Sequence, residues 1–290
     1  MNGILLIDKP EGWTSHDVVA KLRGILREKR IGHSGTLDPM ATGLLVVFVG
    51  RATRAVEFAE THEKEYIASL RPGLVTDTQD ITGNITGRSE KKFNFEELTA
   101  VLPEFTGDIT QIPPMYSAVK INGRKLYALA RSGVEIERKG RPVNIRELEI
   151  TGEKEGDFIL RVVCSKGTYI RTLCSDIGER LGTGAVLSAL RRTRVGNYSV
   201  LDANTLDGIM ELAANGALKS ALLPVDSLFS DYPSLTLTDA QKAKCLCGGC
   251  FEKHEEDGKY RVYAGDGTFL MLGKVENGVM STVKSFFEVN

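Results

Sequence analysis

A chain of 290 residues, 42% hydrophobic and without a biased tract, is long enough to bury a substantial core, which excludes a disordered or low-complexity protein. Its longest apolar run, Leu44 to Val49, is far short of the ~20 residues that span a bilayer, and no basic and apolar leader opens the chain, so a cytoplasmic protein without a membrane partner is expected. The formal net charge of −1 gives no global sign of a polyanion partner, so any such contact must come from a local excess of charge, and the odd number of cysteines reads as reduced thiols.

In chain order, Gly3 to Ile7 reads as a strand that stops at Lys9-Pro10-Glu11-Gly12. A helix follows, capped by Thr14 or Ser15, with Val18, Val19, Leu22, Ile25 and Leu26 on one face and basic residues from Arg27 to Arg30 at its end. Gly32 to Pro39 reads as a glycine-rich loop, Leu44 to Val49 as a buried strand, Thr53 to Glu60 as a short helix and Lys64 to Leu70 as a strand. A polar Asp/Thr/Gly segment reads as loop, and Asn94 caps a helix carrying Phe95, Leu98, Val101 and Leu102. Strands are expected at Ser117 to Ile121, Val143 to Ile150 and Phe158 to Cys164, and helices at Tyr169 to Leu181 and Thr205 to Leu218. Interleaved elements with no regular strand-helix-strand period indicate an α+β fold with a mixed sheet. Pro224 to Pro233 reads as a linker, and the short strands beyond it, separated by Gly-Asp-Gly and Asn-Gly turns, as a small β-rich C-terminal domain.

Charge is uneven along the chain. From Gln111 to Arg146 the basic residues Lys120, Arg124, Lys125, Arg131, Arg138, Lys139, Arg141 and Arg146 face only Glu135 and Glu137. Lysine and arginine interleaved with Tyr116 and Tyr127 suit phosphate contact with base stacking; a solvated surface would need no such bias. The segment Gly35-Thr36-Leu37-Asp38-Pro39-Met40-Ala41-Thr42-Gly43 places one carboxylate in a tight loop before a buried strand, where reactive groups commonly sit, although Asp before Pro is by itself an ordinary turn.

This motif resembles the G-x-L-D-x-x-A-x-G signature of pseudouridine synthases, and the chain from Gly3 to about Leu228 resembles the TruB family of those enzymes, in its stand-alone bacterial form. The further matching blocks are Lys9-Pro10, Gly32-His33, Lys64-Glu65-Tyr66, Pro113 to Lys120, Cys164 to Arg171 and Leu190-Arg191-Arg192. The resemblance implies a mainly antiparallel catalytic domain over residues 1–228, with an RNA-gripping insertion at about 113–146 that includes Lys120, Arg124 and Lys125. It implies a PUA-like domain over 233–290. The implied reaction is isomerisation of uridine to pseudouridine at position 55 in the T loop of tRNA, by a monomer acting on the T arm. Asp38 would be the catalytic carboxylate, either attacking C1′ or removing a sugar proton to give a glycal; neither route needs a metal or organic cofactor.

By the same resemblance Arg171 pairs with Asp38 through its guanidinium fork. Tyr66 stacks on the target base with its hydroxyl near the carbon that loses a proton, and Tyr169 and Leu190 complete the uracil pocket. His33 enters the RNA as the uridine flips out, an insertion suited to a flat ring on a mobile loop. Lys9 is taken as a further substrate contact. Cys245, Cys247 and Cys250, with His254, suit either a zinc site or small buried thiols near a turn. Two other readings stand beside the isomerase: a tRNA-folding helper that remodels the T arm, and a uridine glycosidase, which would need water beside C1′.

Overall fold

The computed structural model describes residues 1–117, 119–121 and 123–287, with the side chains of Lys125 and Arg131 outside the description. β1 (Gly3–Lys9) is buried almost throughout and turns through Pro10 and Gly12 into α1 (Ser15–Leu26). Thr14, rather than Ser15, caps α1 in a capping box with Asp17, and Val18, Val19, Leu22 and Leu26 form its buried face. The glycine-rich segment does not begin as a loop. It opens with β2 (Ile31–Ser34), whose geometry comes from antiparallel pairing with β3 (Thr42–Val49), a tertiary constraint that Gly-His-Ser does not announce.

A 3-10 turn at Gly50–Ala55 leads into α2 (Val56–Glu60), and β4 (Lys64–Pro72) follows. The polar stretch read as loop is the turn of a hairpin, β5 (Leu74–Thr76) with β6 (Ile85–Arg88). Asn94 caps α3 (Phe95–Val101) in a second capping box, with Glu97, and β7 (Gly107–Gln111) comes next. The insertion is a hairpin, β8 (Lys120–Ile121) with β9 (Arg124–Lys125), followed by α4 (Leu126–Arg131). It has its own small core of Met115, Leu126 and Leu129. The expected strand from Ser117 shrinks to β8; Ala118 lies outside the described residues.

β10 (Arg141–Lys154) and β11 (Asp157–Cys164) form a long hairpin, and α5 (Ile170–Arg180) packs on β12 (Ala185–Val195), a strand the sequence reading did not foresee. β13 (Tyr198–Ser199) and α6 (Leu206–Ala214) complete this half, α6 stopping short of Leu218 at Asn215 and Gly216. The sheet runs β1-β3-β12-β4-β11-β10-β7, with β2 on β3 and β13 on β12, and every pairing except β3 with β12 is antiparallel. The mixed, mainly antiparallel α+β architecture expected from the sequence is what the chain adopts.

A second sheet, ordered β14-β16-β17-β18-β15, comprises β14 (Ser234–Thr236), β15 (Phe251–Glu252), β16 (Gly258–Tyr263), β17 (Phe269–Glu276) and β18 (Val279–Ser285), with α7 (Asp239–Leu246) before β15. Asn277 and Gly278 turn β17 into β18 with positive φ of 52° and 74°, as a tight hairpin requires. The stretch read as a linker is not free. Its Leu228 and Phe229 are buried, and the Phe229 ring lies 5.3 Å from Phe58 and 5.8 Å from Phe286, so the two sheets share one apolar cluster. Among the described residues, no helix is long and apolar enough to cross a membrane.

Candidate active site

Asp38 sits between β2 and β3, where β3 exchanges β2 for β12 along one edge: Ser34 pairs with Val46, whereas Arg191 and Arg192 pair with Thr42 and Gly43. Gly43 is required at the crossing, with φ +99° and no room for a Cβ against the Arg192 backbone. The loop is clamped from below. Ser15 Oγ accepts from Leu37 N at 2.9 Å, and the Lys9 ammonium donates to the carbonyls of Pro10, Trp13 and Pro39 at 2.9, 2.6 and 3.3 Å.

Lys9 is therefore wholly buried beneath the loop, and its expected role as a substrate contact gives way to a structural one, with every donor direction turned to backbone carbonyls. Burial lowers its pKa to about 8, with the Asp38 charge opposing.

Arg171, in the first turn of α5 and 6% exposed, reaches Asp38 Oδ2 through Nε at 2.9 Å. The contact is single, not the two-pronged fork expected from the sequence. Nη1 donates to Thr78 O of the β5–β6 turn at 3.0 Å and Nη2 to Tyr116 O at the base of the insertion at 2.8 Å. Asp80 Oδ2 stands 3.6 Å from Nη1, and its carboxylate is fixed by Thr78 Oγ1, Thr82 Oγ1 and Thr82 N at 2.9, 2.6 and 3.0 Å. Surrounding protein raises the Asp38 pKa above its ordinary value against the pull of Arg171, while the side chain keeps 39% exposure.

Tyr66 on β4, Leu190 on β12, Leu37, Ala41 and Ile170 belong to one buried cluster, with Met40 packed against it, so the carboxylate is bordered by flat and apolar walls. Tyr169 stands at the N-cap of α5, half-buried, its backbone gripped on both sides by the Gln111 amide at 3.0 and 3.3 Å. Burial raises the Tyr66 pKa, and Arg192 works in the opposite direction. His33 is on β2 rather than a mobile loop, half-buried, edge-to-face with the exposed His16 at 5.6 Å, and its pKa falls to about 4, chiefly through burial. Lys120 and Arg124 are exposed on the insertion hairpin; the Lys125 side chain lies outside the described residues.

Cys245 is buried in the second sheet's core, whereas Cys247 and Cys250 are exposed, and among the described residues no group of three ligating side chains converges on a point.

Asp80 and Arg192 are the residues whose place the sequence reading missed. Asp80 lies among residues that form Asx turns and so reads as loop; its signal is an aspartate followed two residues later by a threonine that can lock it. Arg192 alternates with Leu190 along β12, so a strand reading would have placed it on the core face.

A carboxylate held by arginine against flat and apolar side chains, beside an exposed basic hairpin, suits action on a nucleobase or its sugar. The profile described as "TruB family pseudouridylate synthase (N terminal domain)" matches residues 23–170, and that of the "tRNA pseudouridylate synthase B C-terminal domain" matches 171–230. The chain is 43% identical over 98% of its length to a tRNA pseudouridine synthase B of Syntrophomonas wolfei, of which 96% is covered. It is 39% identical over 99% of its length to that of Clostridium kluyveri, all of which is covered. Among solved structures it resembles a chain of an H/ACA RNP bound to a substrate RNA containing 2'-deoxyuridine, with TM-score 0.74 and 25% identity over 99% of this chain and 85% of that one. A Cbf5-Nop10-Gar1 complex gives TM-score 0.74 and 26% identity over 98% of this chain and 85% of the other. The chain belongs to the TruB family of pseudouridylate synthases. It is an isomerase, a tRNA pseudouridine synthase, and binds RNA as its substrate.

Proposed function

We propose that this enzyme isomerises the uridine at position 55 in the T loop of tRNA, with Asp38 as the catalytic carboxylate. The observation that carries the reading is the Asp38–Arg171 contact of 2.9 Å beside the buried cluster that holds Tyr66 and Leu190. In that setting the carboxylate either attacks C1′ as N1 departs or removes the sugar proton that yields a glycal; in both routes the detached uracil turns within the pocket until C5 bonds to C1′. Arg171 keeps Asp38 oriented, and Tyr66 and Tyr169 hold the base. Tyr66 receives the C5 proton at the end.

The target base must leave the loop to reach Asp38, and flipping costs a few kcal/mol. His33, neutral at physiological pH and held on a strand, supplies a preformed ring to fill the gap. Lys120, Arg124 and Lys125 grip T-arm phosphates. Residues 1–228 form the catalytic unit and those from 233 a PUA-like RNA-binding module, in a monomer working in the cytoplasm with its substrate.

A site that recognises a folded loop by shape needs only that loop and its stem. An isolated T-arm hairpin should therefore be modified, and a hairpin of the same composition whose loop cannot fold should not. Equal modification of both would overturn T-loop recognition. With 2-aminopurine at the target position, fluorescence should rise on binding and rise less in His33→Ala; an equal rise would remove His33 from the flipping step.

A further inference from the structure

Arg192 is the largest fully buried side chain among the described residues, 1% exposed, and its guanidinium pairs with no carboxylate among them. Nε donates to Leu44 O at 2.7 Å and Nη2 to Gly35 O at 3.1 Å. Two carbonyls do not neutralise a buried cation, and an apolar side chain of similar volume would fill the same space without the desolvation cost. The charge calls for a functional reason.

Strand register supplies one. Arg192 on β12 is the direct cross-strand partner of Tyr66 on β4, and both side chains belong to the buried face. The Arg192 charge opposes the rise that burial imposes on the Tyr66 pKa. Cys164 on β11 and Asp38 also act on the Tyr66 phenol by charge, and Lys9, His33 and Lys64 feel the Arg192 charge. Arg192 is thus the buried cation directly across the strand pair from Tyr66.

We propose that Arg192 is a positioning residue for Tyr66: its buried guanidinium, paired with no carboxylate among the described residues, lowers the cost of negative charge on the phenol oxygen so that Tyr66 can take the C5 proton. The step rests on the isomerase reading above. After C5 has bonded to C1′, C5 carries both that bond and its hydrogen, and N1 is doubly bonded to C6. The phenolate, having lost its proton to water, takes the C5 proton. The C5–H pair becomes the C5=C6 bond, the N1=C6 pair moves to N1, and N1 takes a proton from water. Arginine remains protonated throughout and acts only through its charge.

The test places 3,5-difluorotyrosine at position 66 of the full chain, which acidifies the phenol and puts two fluorines beside its oxygen to report the titration. Arg192→Gln should raise the midpoint by roughly one pH unit or more, the effect of removing an opposite charge at close range, and Arg192→Lys by less. An unchanged midpoint in Arg192→Gln, shown by circular dichroism to be folded, overturns the proposal. A purely structural Arg192 would also act without Tyr66. Turnover of Arg192→Gln should fall in the native background but not further in Tyr66→Phe, and equal losses in both would overturn the pairing. If the unsubstituted enzyme formed no pseudouridine, the isomerase reading itself would fail, while the fluorine titration would still decide whether Arg192 tunes the phenol.

Discussion

Arg171 holds Asp38 through Nε alone, 2.9 Å from Oδ2, and its two terminal nitrogens are fixed by the carbonyls of Thr78 and Tyr116. One guanidinium therefore joins the Asp38 loop, the β5–β6 turn and the base of the insertion. A lysine can meet at most part of this set, because its ammonium is one point and the three acceptors are spread about a planar group. Arg171→Lys should lower turnover about 100-fold, the scale expected when a reacting group is misplaced by an ångström, with tRNA affinity changed by much less. Single-turnover kinetics and filter binding separate the two; near-native turnover would show that Asp38 does not depend on this arrangement.

Asp38 should be held at a cost to stability. Its folded pKa lies above the ordinary carboxylate value, chiefly through burial, so the folded state binds the proton more tightly than the unfolded chain. The ionised form therefore destabilises the fold at neutral pH, and the penalty disappears as pH falls through the folded pKa toward the unfolded one. Asp38→Asn, neutral throughout, should resist urea better than wild type at pH 7, with the gap closing in acid. A mutant less stable at neutral pH would mean that pairing with Arg171 outweighs desolvation.

The fold and site were legible where local chemistry and tertiary structure agree. The apolar spacing of Val18, Val19, Leu22 and Leu26 behind Thr14 specifies α1, and the signature around Asp38 stands out in a loop bounded by glycines. β12 was hidden because Arg191 and Arg192 interrupt its apolar run, and register shifts at Leu187/Ala189 and Arg192/Arg194 break its alternation. His33 was placed on a loop because Gly-His-Ser has little strand propensity; pairing with β3 supplies the conformation. Lys9 reads as a substrate contact, since nothing in Lys-Pro announces three carbonyls converging on its ammonium.

Lys9→Met should leave the carbonyls of Pro10, Trp13 and Pro39 without their donor and loosen the loop, lowering turnover at least ~10-fold. The folded Lys9 pKa of about 8 lies below the ordinary 10.5, so its charge costs the folded state below pH 8 and that cost diminishes as pH rises toward 10.5. Wild-type stability relative to Lys9→Met should increase between those limits in urea titrations. A flat difference would show that burial does not shift this ammonium.

Replacing Lys120, Arg124 and Lys125 together should weaken tRNA binding and reduce the slope of log affinity against log salt by roughly 0.7–0.9 for each phosphate no longer neutralised. Binding isotherms across a salt series report this directly. An unchanged slope would mean that the hairpin faces solvent in the complex.

The most direct test of Asp38 as the catalytic carboxylate is to map pseudouridine, by its resistance to base-specific cleavage or by mass spectrometry, in unmodified tRNA incubated with purified wild type or Asp38→Asn. The enzyme should convert the T-loop uridine at position 55 and leave the other uridines intact. Asp38→Asn, folded and still binding tRNA, should be slower by several orders of magnitude, since the amide is neither nucleophile nor base. Substantial turnover by the mutant in a preparation free of host enzyme, or conversion of a uridine outside the T loop, would contradict the assignment.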